Sequence, residues 1–273
     1  MIRNLIIAML CTAFCWADQS IFSLIPKNLW QTYKTKTLPK PAFDAQQTWL
    51  NLNPDYSYFL FDDADIEAYI QKRWPRNFLS LYHDIPIGAM KADLWRYLIL
   101  TTEGGVYSDI DSICIQPMQN WLPDLRTSNR NVLLLDLDVN EKWFCQWTIA
   151  ATPHHPAMQY VCNYVLQKWK KNGGFPKKKD GSIRVLHATG PAIFTSAIKR
   201  YLDEPDLTAH DIAKKYVHNK RYRDRLNKLG IYISPKWFFQ GIGCKNLFGS
   251  SCFGDGYNSW SQEAQQLRDR LDK

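Results

Sequence analysis

The stretch that most constrains this chain covers residues 88–118, GAMKADLWRYLILTTEGGVYSDIDSICIQPM. Apolar residues recur there at helical spacing over about 89–102 and cover most of the circumference, so the sequence predicts a buried helix. Asp93 and Arg96 interrupt this apolar surface three residues apart and therefore share one face. Gly104 is predicted to stop the helix, because glycine adopts the left-handed conformation of a C-cap without steric cost.

A short strand is predicted after the glycines, and it is expected to lead into Asp109 and Asp111. Residues i and i+2 of a strand face the same side, so both carboxylates would point at one object. Two like charges held so close need a cation between them or a raised pKa. Oxygen ligands of this kind suit Mg²⁺ or Mn²⁺, whose coordination shell is often completed by substrate phosphates.

An Asp-x-Asp pair alone is a weak signal, because the chain contains two others. Asp63 and Asp65 fall at a predicted helix start, where acidic residues suit the helix dipole and need no metal. Asp136 and Asp138 follow another apolar strand and are the serious alternative. The charged positions inside the preceding helix favour the pair at 109 and 111.

The rest of the pattern alternates strands and helices and predicts an α/β fold. Strands are predicted near 24–29, 56–60, 131–138, 146–151 and 231–234, and helices near 42–50, 62–73, 154–169 and 193–201. Loops at the carboxyl ends of strands line the ligand crevice of such sheets. The basic segment 170–182 is predicted to be a solvated surface loop, with a lid over a bound nucleotide as the alternative.

The run KADLWRYLILTTEGGVYSDID resembles the centre of the DXD-containing glycosyltransferases related to the yeast initiating α-1,6-mannosyltransferase, which are similar to the sugar-transferring domains of clostridial toxins. The family pattern is met at eight positions with fixed offsets: Ala92, Asp93, Arg96, Gly104, Gly105, Tyr107, Asp109 and Asp111. The resemblance implies an α/β fold of the GT-A type. This fold is a Rossmann-like nucleotide-sugar-binding sheet flanked by helices, expected here as a single domain over residues 18–273.

The resemblance also implies a retaining, metal-dependent hexosyltransferase with a nucleotide-diphospho-sugar donor and a glycan or glycolipid acceptor. Asp109 and Asp111 would hold Mn²⁺ or Mg²⁺ against the diphosphate. Asp93 and Arg96 would bind hydroxyls of the donor sugar and orient its anomeric carbon. GDP-mannose is the first donor expected, and UDP-galactose, UDP-glucose and UDP-N-acetylglucosamine stay open.

A second family motif lies in the segment LIPKNLWQTYK near the start of the chain. Gln31, Thr32 and Tyr33 match the family, while Trp30 stands where the family usually carries a histidine. The resemblance places these four residues at the donor. Trp30 or Tyr33 is a candidate for stacking on the nucleotide base, and a place in the core is the equal alternative for each.

A third motif is Thr189-Gly190-Pro191, which begins a predicted helix. Proline suits the first helical position, and the free amides behind it favour an anion. The resemblance implies that these residues shape the donor or acceptor pocket, and a simple helix cap is the alternative.

The family often closes with a histidine followed by Ser-Trp, and Ser259 and Trp260 match the end of that motif. The histidine is missing, because Gly254, Asp255 and Gly256 stand in its place. Asp255 is therefore the candidate third oxygen ligand of the metal.

The formal net charge of +8 favours an anionic partner. With the resemblance, that partner is the diphosphate of a sugar nucleotide rather than nucleic acid, and association with a membrane surface stays open. Residues 1–17 carry Arg3 and a short apolar run, which predicts a signal peptide cut after Ala17 or, if uncut, a short signal-anchor. The chain is thus expected in the secretory pathway, in the ER or Golgi lumen if it is eukaryotic.

Five cysteines would remain after the cut, so they cannot all pair within one chain. Cys244 and Cys252 are the expected disulfide, and Cys114 is expected to be a buried thiol. His154 and His155 are expected to be capping or surface residues rather than metal ligands.

Two other classes of protein fit parts of the pattern. An aspartyl-nucleophile phosphatase also places Asp-x-Asp after a strand, but it leaves the long helix before the aspartates unexplained. A non-catalytic binder of sugar nucleotides would accommodate the missing histidine.

Overall fold

The structure is a computed structural model that describes residues 19–121, 125–138, 141–234 and 244–246. In the first part of the chain the elements are β1 Gln19–Ser20, α1 Ile21–Leu24, β2 Asn28–Thr32, α2 Lys40–Leu52, β3 Ser57–Phe61, α3 Asp63–Arg73, α4 Arg76–His83 and α5 Gly88–Thr102. Then follow β4 Gly105–Ser108, β5 Ser112–Cys114, a 3₁₀ turn at Met118–Asn120, β6 Arg126–Thr127, β7 Leu133–Leu135 and β8 Thr148–Ala151. The last elements are α6 Pro156–Asn172, α7 Val185–Ala188, α8 Pro191–Tyr201, α9 Ala209–His218, α10 Lys220–Lys228, β9 Ile231–Ile233 and β10 Cys244–Asn246.

The main sheet has six strands in the order β3-β2-β4-β8-β7-β9. β2 pairs in parallel with β3 and β4, and β7 pairs in parallel with β9. β8 runs antiparallel to both of its neighbours, β4 and β7. The other five strands therefore point the same way, and their carboxyl ends meet at one edge of the sheet. Two small antiparallel sheets, β1 with β6 and β5 with β10, lie outside this main sheet.

Helix α5 is the buried helix that the sequence predicts. Its side chains from Leu94 to Thr101 are all buried, and so is Met90. A helix that is apolar on all sides must be surrounded by protein, and α5 packs against α6 and the face of the sheet that carries Tyr107. Gly104 follows with a φ of 64°, so the predicted glycine stop is confirmed.

Side chains of each central strand alternate between two apolar layers, as strand geometry requires. Trp30 and Tyr107 belong to the layer that contains α5, α6 and α8. Their neighbours Leu29 and Val106 belong to the opposite layer, together with Trp49 of α2. The sheet is therefore covered on both faces, which confirms the α/β prediction.

Several smaller predictions are also confirmed. Cys114 is a buried free thiol in β5. His155 caps α6 by accepting a hydrogen bond from the backbone of Ala157, while His154 is exposed. The residues predicted as a leader lie outside the described part of the chain, and so does Cys252. No helix in the described ranges is long and apolar enough to cross a bilayer.

Candidate functional site

The candidate site lies where β4 ends, at the edge that collects the carboxyl ends of the five parallel strands. β4 stops at Ser108, and residues 109–111 form a tight turn before β5. The turn is closed by the backbone N–H of Ser112, which donates to the carbonyl oxygen of Asp109 at 3.0 Å. The expectation that Asp109 and Asp111 share one face of a strand is therefore wrong. The early pairing of Ser112 in a second strand forces the chain to turn between the two acids.

Arg96 joins helix α5 to this turn. Its Nη2 atom lies 2.7 Å from Oδ1 of Asp109 and 3.2 Å from Oδ1 of Asp93. Its Nη1 atom donates to the backbone carbonyl of Gln146 at 2.9 Å. The hydroxyl of Tyr107 donates to the same Asp109 oxygen at 2.8 Å, and the guanidinium lies over the Tyr107 ring. A buried guanidinium thus holds two carboxylates, as the planar fork of arginine allows.

Asp93 is buried and receives donors on both carboxylate oxygens. Gln146 Nε2 donates to Oδ1 at 2.7 Å, and Thr189 Oγ1 donates to Oδ2 at 2.8 Å. The hydroxyl of Tyr97 lies 2.9 Å from Gln146 Oε1 and 2.7 Å from the carbonyl oxygen of Thr189. Buried charged groups are tolerated when they are paired and hydrogen-bonded in this way.

The protonation of these groups follows from burial and from their partners. Burial works against the charged guanidinium, but Asp109 and the other acidic groups around it raise the pKa of Arg96 above its ordinary value. Burial raises the pKa of Asp109, and Arg96 opposes that shift. Burial also raises the pKa of Tyr97 and of Tyr107 well above the ordinary tyrosine value. Both tyrosines are therefore neutral hydrogen-bond donors at neutral pH.

A chain of side chains from β2, β3 and α2 supports the turn from the opposite side. Gln31 Nε2 donates to the backbone carbonyl of Asp109 at 3.2 Å. Tyr58 donates to Gln31 Oε1 at 2.9 Å, and Gln46 donates to the Tyr58 hydroxyl at 2.8 Å. Since each member holds the next, the position of the Asp109 turn depends on three other elements.

Comparison with known proteins finds one family over part of the chain. Residues 39–127 match the family described as "Glycosyltransferase sugar-binding region containing DXD motif". The chain carries a DXD-type glycosyltransferase region. This confirms the resemblance found in the sequence. The matched range includes Asp93, Arg96 and the turn at 109–111, and it excludes the rival pair Asp136 and Asp138.

Curated relatives match the chain over a longer range than residues 39–127. The initiation-specific alpha-1,6-mannosyltransferase of Candida albicans is 32% identical over 207 residues, which is 65% of this chain and 53% of the relative. The protein with the same name from Schizosaccharomyces pombe is 32% identical over 197 residues, or 66% of this chain and 49% of the relative. The chain thus spans about half the length of the curated relatives it matches.

A solved structure shows the same fold. The structure titled "PaToxG Glycosyltransferase" superposes with a TM-score of 0.52 at 18% identity, covering 79% of this chain and 81% of that one. The mixed sheet flanked by helices is therefore a GT-A-like glycosyltransferase fold, as predicted.

Two Asp-x-Asp pairs lie within the matched region. The site geometry favours Asp109 and Asp111 as the DXD motif over Asp63 and Asp65. Asp111 is buried in the turn. Asp65 instead forms a reciprocal capping box with Asp62 at the start of α3, and Asp63 lies in the first turn of that helix. This confirms the helix-start interpretation of Asp63 and Asp65.

The rival pair, Asp136 and Asp138, binds backbone N–H groups of the loop after β7. Oδ1 of Asp136, a fully buried residue, accepts the backbone N–H of Leu137 at 2.9 Å. Oδ1 of Asp138 accepts the N–H groups of Lys142 and Trp143 at 2.8 and 3.1 Å. These contacts close the chain reversal between β7 and β8.

The second family motif, in the segment LIPKNLWQTYK, is divided between the core and the edge of the sheet that carries the site. Trp30 lies in the core, where its indole donates to the carbonyl of Gly104 at 2.8 Å and stacks on Phe59. Stacking of Trp30 on a base is therefore wrong, because both faces and the polar edge of the ring are engaged or covered. Thr32 donates to the carbonyl of Phe61, and Tyr33 is half-buried at the carboxyl end of β2. Tyr33 stays the candidate for base stacking.

The third motif reaches the site through Thr189. Gly190 precedes α8, and a Cβ atom there would lie 2.9 Å from Leu186 Cα, so the glycine is required by the close approach to α7. Pro191 takes the first turn of α8, as predicted. Ser259, Trp260 and Asp255 lie outside the described residues.

The site fits a hard divalent cation. Arg96 and Tyr107 both bind the Asp109 carboxylate through Oδ1, and no described residue forms a hydrogen bond with Oδ2. The Asp109 side chain is 26% exposed, so part of it is open to a ligand. Among the described residues no group of three His, Cys, Asp or Glu side chains comes together. Mg²⁺ and Mn²⁺ sites often use one or two carboxylates and take their other ligands from water and substrate phosphates, so the donor set suits these ions.

The sequence did not identify Gln146 as a residue of the site. It contacts Asp93, Arg96 and Tyr97 from the segment before β8. Tyr107 was identified only as the aromatic position of the family pattern, without its hydrogen bond to Asp109. A signal existed for Gln146: it is a polar residue next to an apolar strand that starts at the same sheet edge. Its partners, however, are about 50 residues away in the chain.

Proposed function

We propose that this chain is a metal-dependent, retaining glycosyltransferase that moves a hexose from a nucleotide-diphospho-sugar to a glycan or glycolipid acceptor. The observation that carries the proposal is the buried contact between Arg96 and Asp109, at the end of β4 and inside the matched glycosyltransferase region. GDP-mannose is the first donor proposed, because the relatives are named mannosyltransferases. UDP-hexoses are the other donors to be tested.

In this proposal Asp109 and Asp111 hold Mn²⁺ or Mg²⁺. A cation held there would neutralise charge on the diphosphate of the leaving nucleoside diphosphate. Arg96 and Tyr107 fix the Asp109 carboxylate through Oδ1, so Oδ2 would be its oxygen for the cation. Gln31 holds the backbone of the same residue. The motif is thus preorganised by groups on α5, β4 and β2, which limits the reorganisation needed when the donor binds.

Asp93 is proposed to orient the donor sugar. A carboxylate accepts about four hydrogen bonds, and three protein donors reach this one: Arg96, Gln146 and Thr189. One acceptor position therefore stays for a hydroxyl of the sugar. During transfer, the bond between the anomeric carbon and the diphosphate oxygen breaks. The acceptor hydroxyl oxygen bonds to the same face of the sugar, and its proton passes to the leaving diphosphate. No described carboxylate is assigned as a nucleophile.

The cellular setting is part of the proposal. We propose export of the chain, with residues 1–17 as a signal peptide or signal-anchor and residues 18–273 as one glycosyltransferase domain. The basis is the short apolar run after Arg3.

A donor-hydrolysis screen with Mn²⁺ across GDP- and UDP-sugars tests the function. We expect turnover of GDP-mannose that is lost on chelation with EDTA and restored by Mn²⁺. Asp109→Asn and Asp111→Asn should each lower turnover by about 100-fold or more, as for removal of an electrostatic group at a reacting centre. Asp138→Asn is the matched control, because an asparagine keeps an oxygen for the two backbone donors of that turn.

The screen also separates the other classes. Equal loss in Asp138→Asn and Asp109→Asn would overturn the assignment of the motif. Donor binding without turnover of any sugar nucleotide would favour the non-catalytic binder. Release of inorganic phosphate from simple phosphomonoesters, with no sugar released from donors, would favour the phosphatase.

A further inference from the structure

A cavity of about 270 Å³ lies apart from the turn that carries the DXD motif. It is bounded by the end of α6, the segment 173–184, α7 and the start of α8. Small-molecule sites usually measure about 300–1,000 Å³, so this cavity suits one small group rather than a long chain. Most of the segment 173–184 belongs to the basic stretch 170–182 that was expected to be a surface loop, and here it forms one wall.

The charged groups of the cavity are cationic. Lys168 and Arg184 line it, and no aspartate or glutamate does so among the described residues. Neither cation forms an ion pair with a described carboxylate, since Lys168 lies over the ring of Tyr164 and Arg184 Nη2 lies 3.4 Å from His187 Nε2. Burial, with the positive charges of Arg184 and Lys142, lowers the pKa of His187. The imidazole is therefore neutral at neutral pH, and an anion is the ligand that these walls would favour.

The other walls are aromatic. Tyr164, Trp169 and Phe175 line the cavity. Aromatic rings beside hydrogen-bonding groups suit the apolar and polar faces of a sugar ring.

The cavity is connected to the candidate site by one peptide bond. Ala188 lines the cavity, and the next residue, Thr189, donates to Asp93 Oδ2 at 2.8 Å. A ligand held against α7 would therefore have a fixed position relative to Asp93. Cations, aromatic rings and this adjacency together point to one class of ligand.

We propose that this cavity binds a phosphate-bearing sugar that forms part of the acceptor, an assignment that rests on the glycosyltransferase function proposed above. Arg184 and Lys168 bind the phosphate, and the aromatic wall packs against the sugar ring. The phosphate can come from a phosphorylated glycan, as a monoester, or from a glycolipid headgroup, as a diester.

Binding to the full chain is measured by isothermal titration calorimetry with four probes: mannose 6-phosphate, its methyl phosphodiester, mannose and inorganic phosphate. We expect one or both sugar phosphates to bind more tightly than mannose and inorganic phosphate. Preference for the monoester indicates a glycan source, and preference for the diester indicates a headgroup. Equal binding of inorganic phosphate would overturn recognition of the sugar, and absence of binding by both sugar phosphates would overturn the proposal.

Variants locate the binding. Arg184→Gln and Lys168→Gln should each weaken the sugar phosphate about tenfold or more, because each removes a charge-assisted hydrogen bond. Trp169→Leu removes one ring of the aromatic wall, so it should weaken binding of the sugar phosphate severalfold. Lys170→Gln, an exposed neighbour on α6 outside the cavity lining, is the control. Equal affinities in Arg184→Gln, Lys168→Gln and wild type would overturn the location.

Donor hydrolysis with Mn²⁺, measured on the same variants, separates this proposal from the function itself. We expect hydrolysis without an acceptor to be unchanged by Arg184→Gln and Lys168→Gln, because neither residue belongs to the donor site. If wild type hydrolyses no donor but binds the sugar phosphate, the glycosyltransferase function fails while the cavity assignment holds as a binding site. If donor hydrolysis occurs without any sugar-phosphate binding, the cavity assignment fails alone.

Discussion

The side chain of Gln146 donates a hydrogen bond of 2.7 Å to Asp93, across 53 residues of chain. Its other side-chain partner is the hydroxyl of Tyr97, and its backbone carbonyl accepts a hydrogen bond from Arg96. One glutamine before β8 thereby orients two successive turns of α5. Its effect on the protein can be measured apart from catalysis.

Replacing Gln146 with leucine should lower the free energy of unfolding by about 1–3 kcal/mol. The reason is that the change removes one buried hydrogen bond from Asp93 and another from Tyr97. Urea denaturation measures the change, and donor turnover should fall with it. Gln167→Leu on the exposed face of α6 is the matched control, expected within about 0.5 kcal/mol of wild type. Similar stability of the two variants would show that the Gln146 contacts contribute little.

Replacing Arg96 with methionine should cost about 3–5 kcal/mol of stability, because it leaves Asp93 buried without its cation. Arg73→Met removes a guanidinium from a surface contact of 4.0 Å with Glu103 and should cost less than about 1 kcal/mol. Denaturant unfolding of both variants gives the comparison. Equal losses would contradict a special role for the buried pair.

Gly105→Ala should be among the most destabilising single-methyl additions to the sheet. The residue has a φ of 101°, and a Cβ atom there would lie 2.5 Å from the carbonyl oxygen of Asn28 on β2. We expect a loss of about 3 kcal/mol or more from backbone strain and overlap together. Gly173→Ala shares a positive φ but has no atom within 4 Å of the added methyl, so it should lose about 1–2 kcal/mol. Thermal denaturation of both proteins tests the difference.

Stability should also fall in mild acid because of His155. Burial lowers the pKa of this histidine to about 4, from 6.5 for an unfolded chain. Between these values the unfolded state binds more protons, so stability falls as the pH falls from about 6.5 to 4, by about 3 kcal/mol for this group. Above pH 6.5 the contribution is fully retained.

Unfolding curves of wild type and His155→Asn over this pH range isolate the effect. Asparagine keeps an acceptor at the N-cap of α6 and does not titrate, so its curve should be flatter. His218→Asn, at an exposed position, should follow wild type. Parallel curves for wild type and His155→Asn would contradict the prediction.

The parts of the fold that depend on local patterns were predictable. The apolar period predicts a helix over 89–102, and α5 occupies Gly88–Thr102. Gly104 ends it, and the predicted strand follows as β4. The capping role of Asp65 also follows from neighbours within one helical turn. Each of these features depends on residues a few positions apart, so their physical causes are visible in the sequence.

Features that depend on distant partners were not predictable in the same way. The turn at 109–111 follows from the pairing of β5 with β10, which begins more than 100 residues later. Trp30 is in the core because β3 places Phe59 beside its ring. A strand period cannot show which strand lies next to it. The shared strand face of Asp109 and Asp111 was therefore wrong, and the core position of Trp30 stayed one of two alternatives.

The sequence by itself determined the buried helix, the glycine stop, the alternation of strands and helices, and the family pattern that groups Asp93, Arg96 and the DXD motif. Only the tertiary structure decided which groups satisfy these charges: Gln146 and Thr189 for Asp93, and Arg96 with Tyr107 for Asp109. The physical reason is that secondary structure follows from sterics and hydrogen bonds over a few residues. The pairing of a buried charge instead depends on side chains that meet only when the whole sheet has assembled.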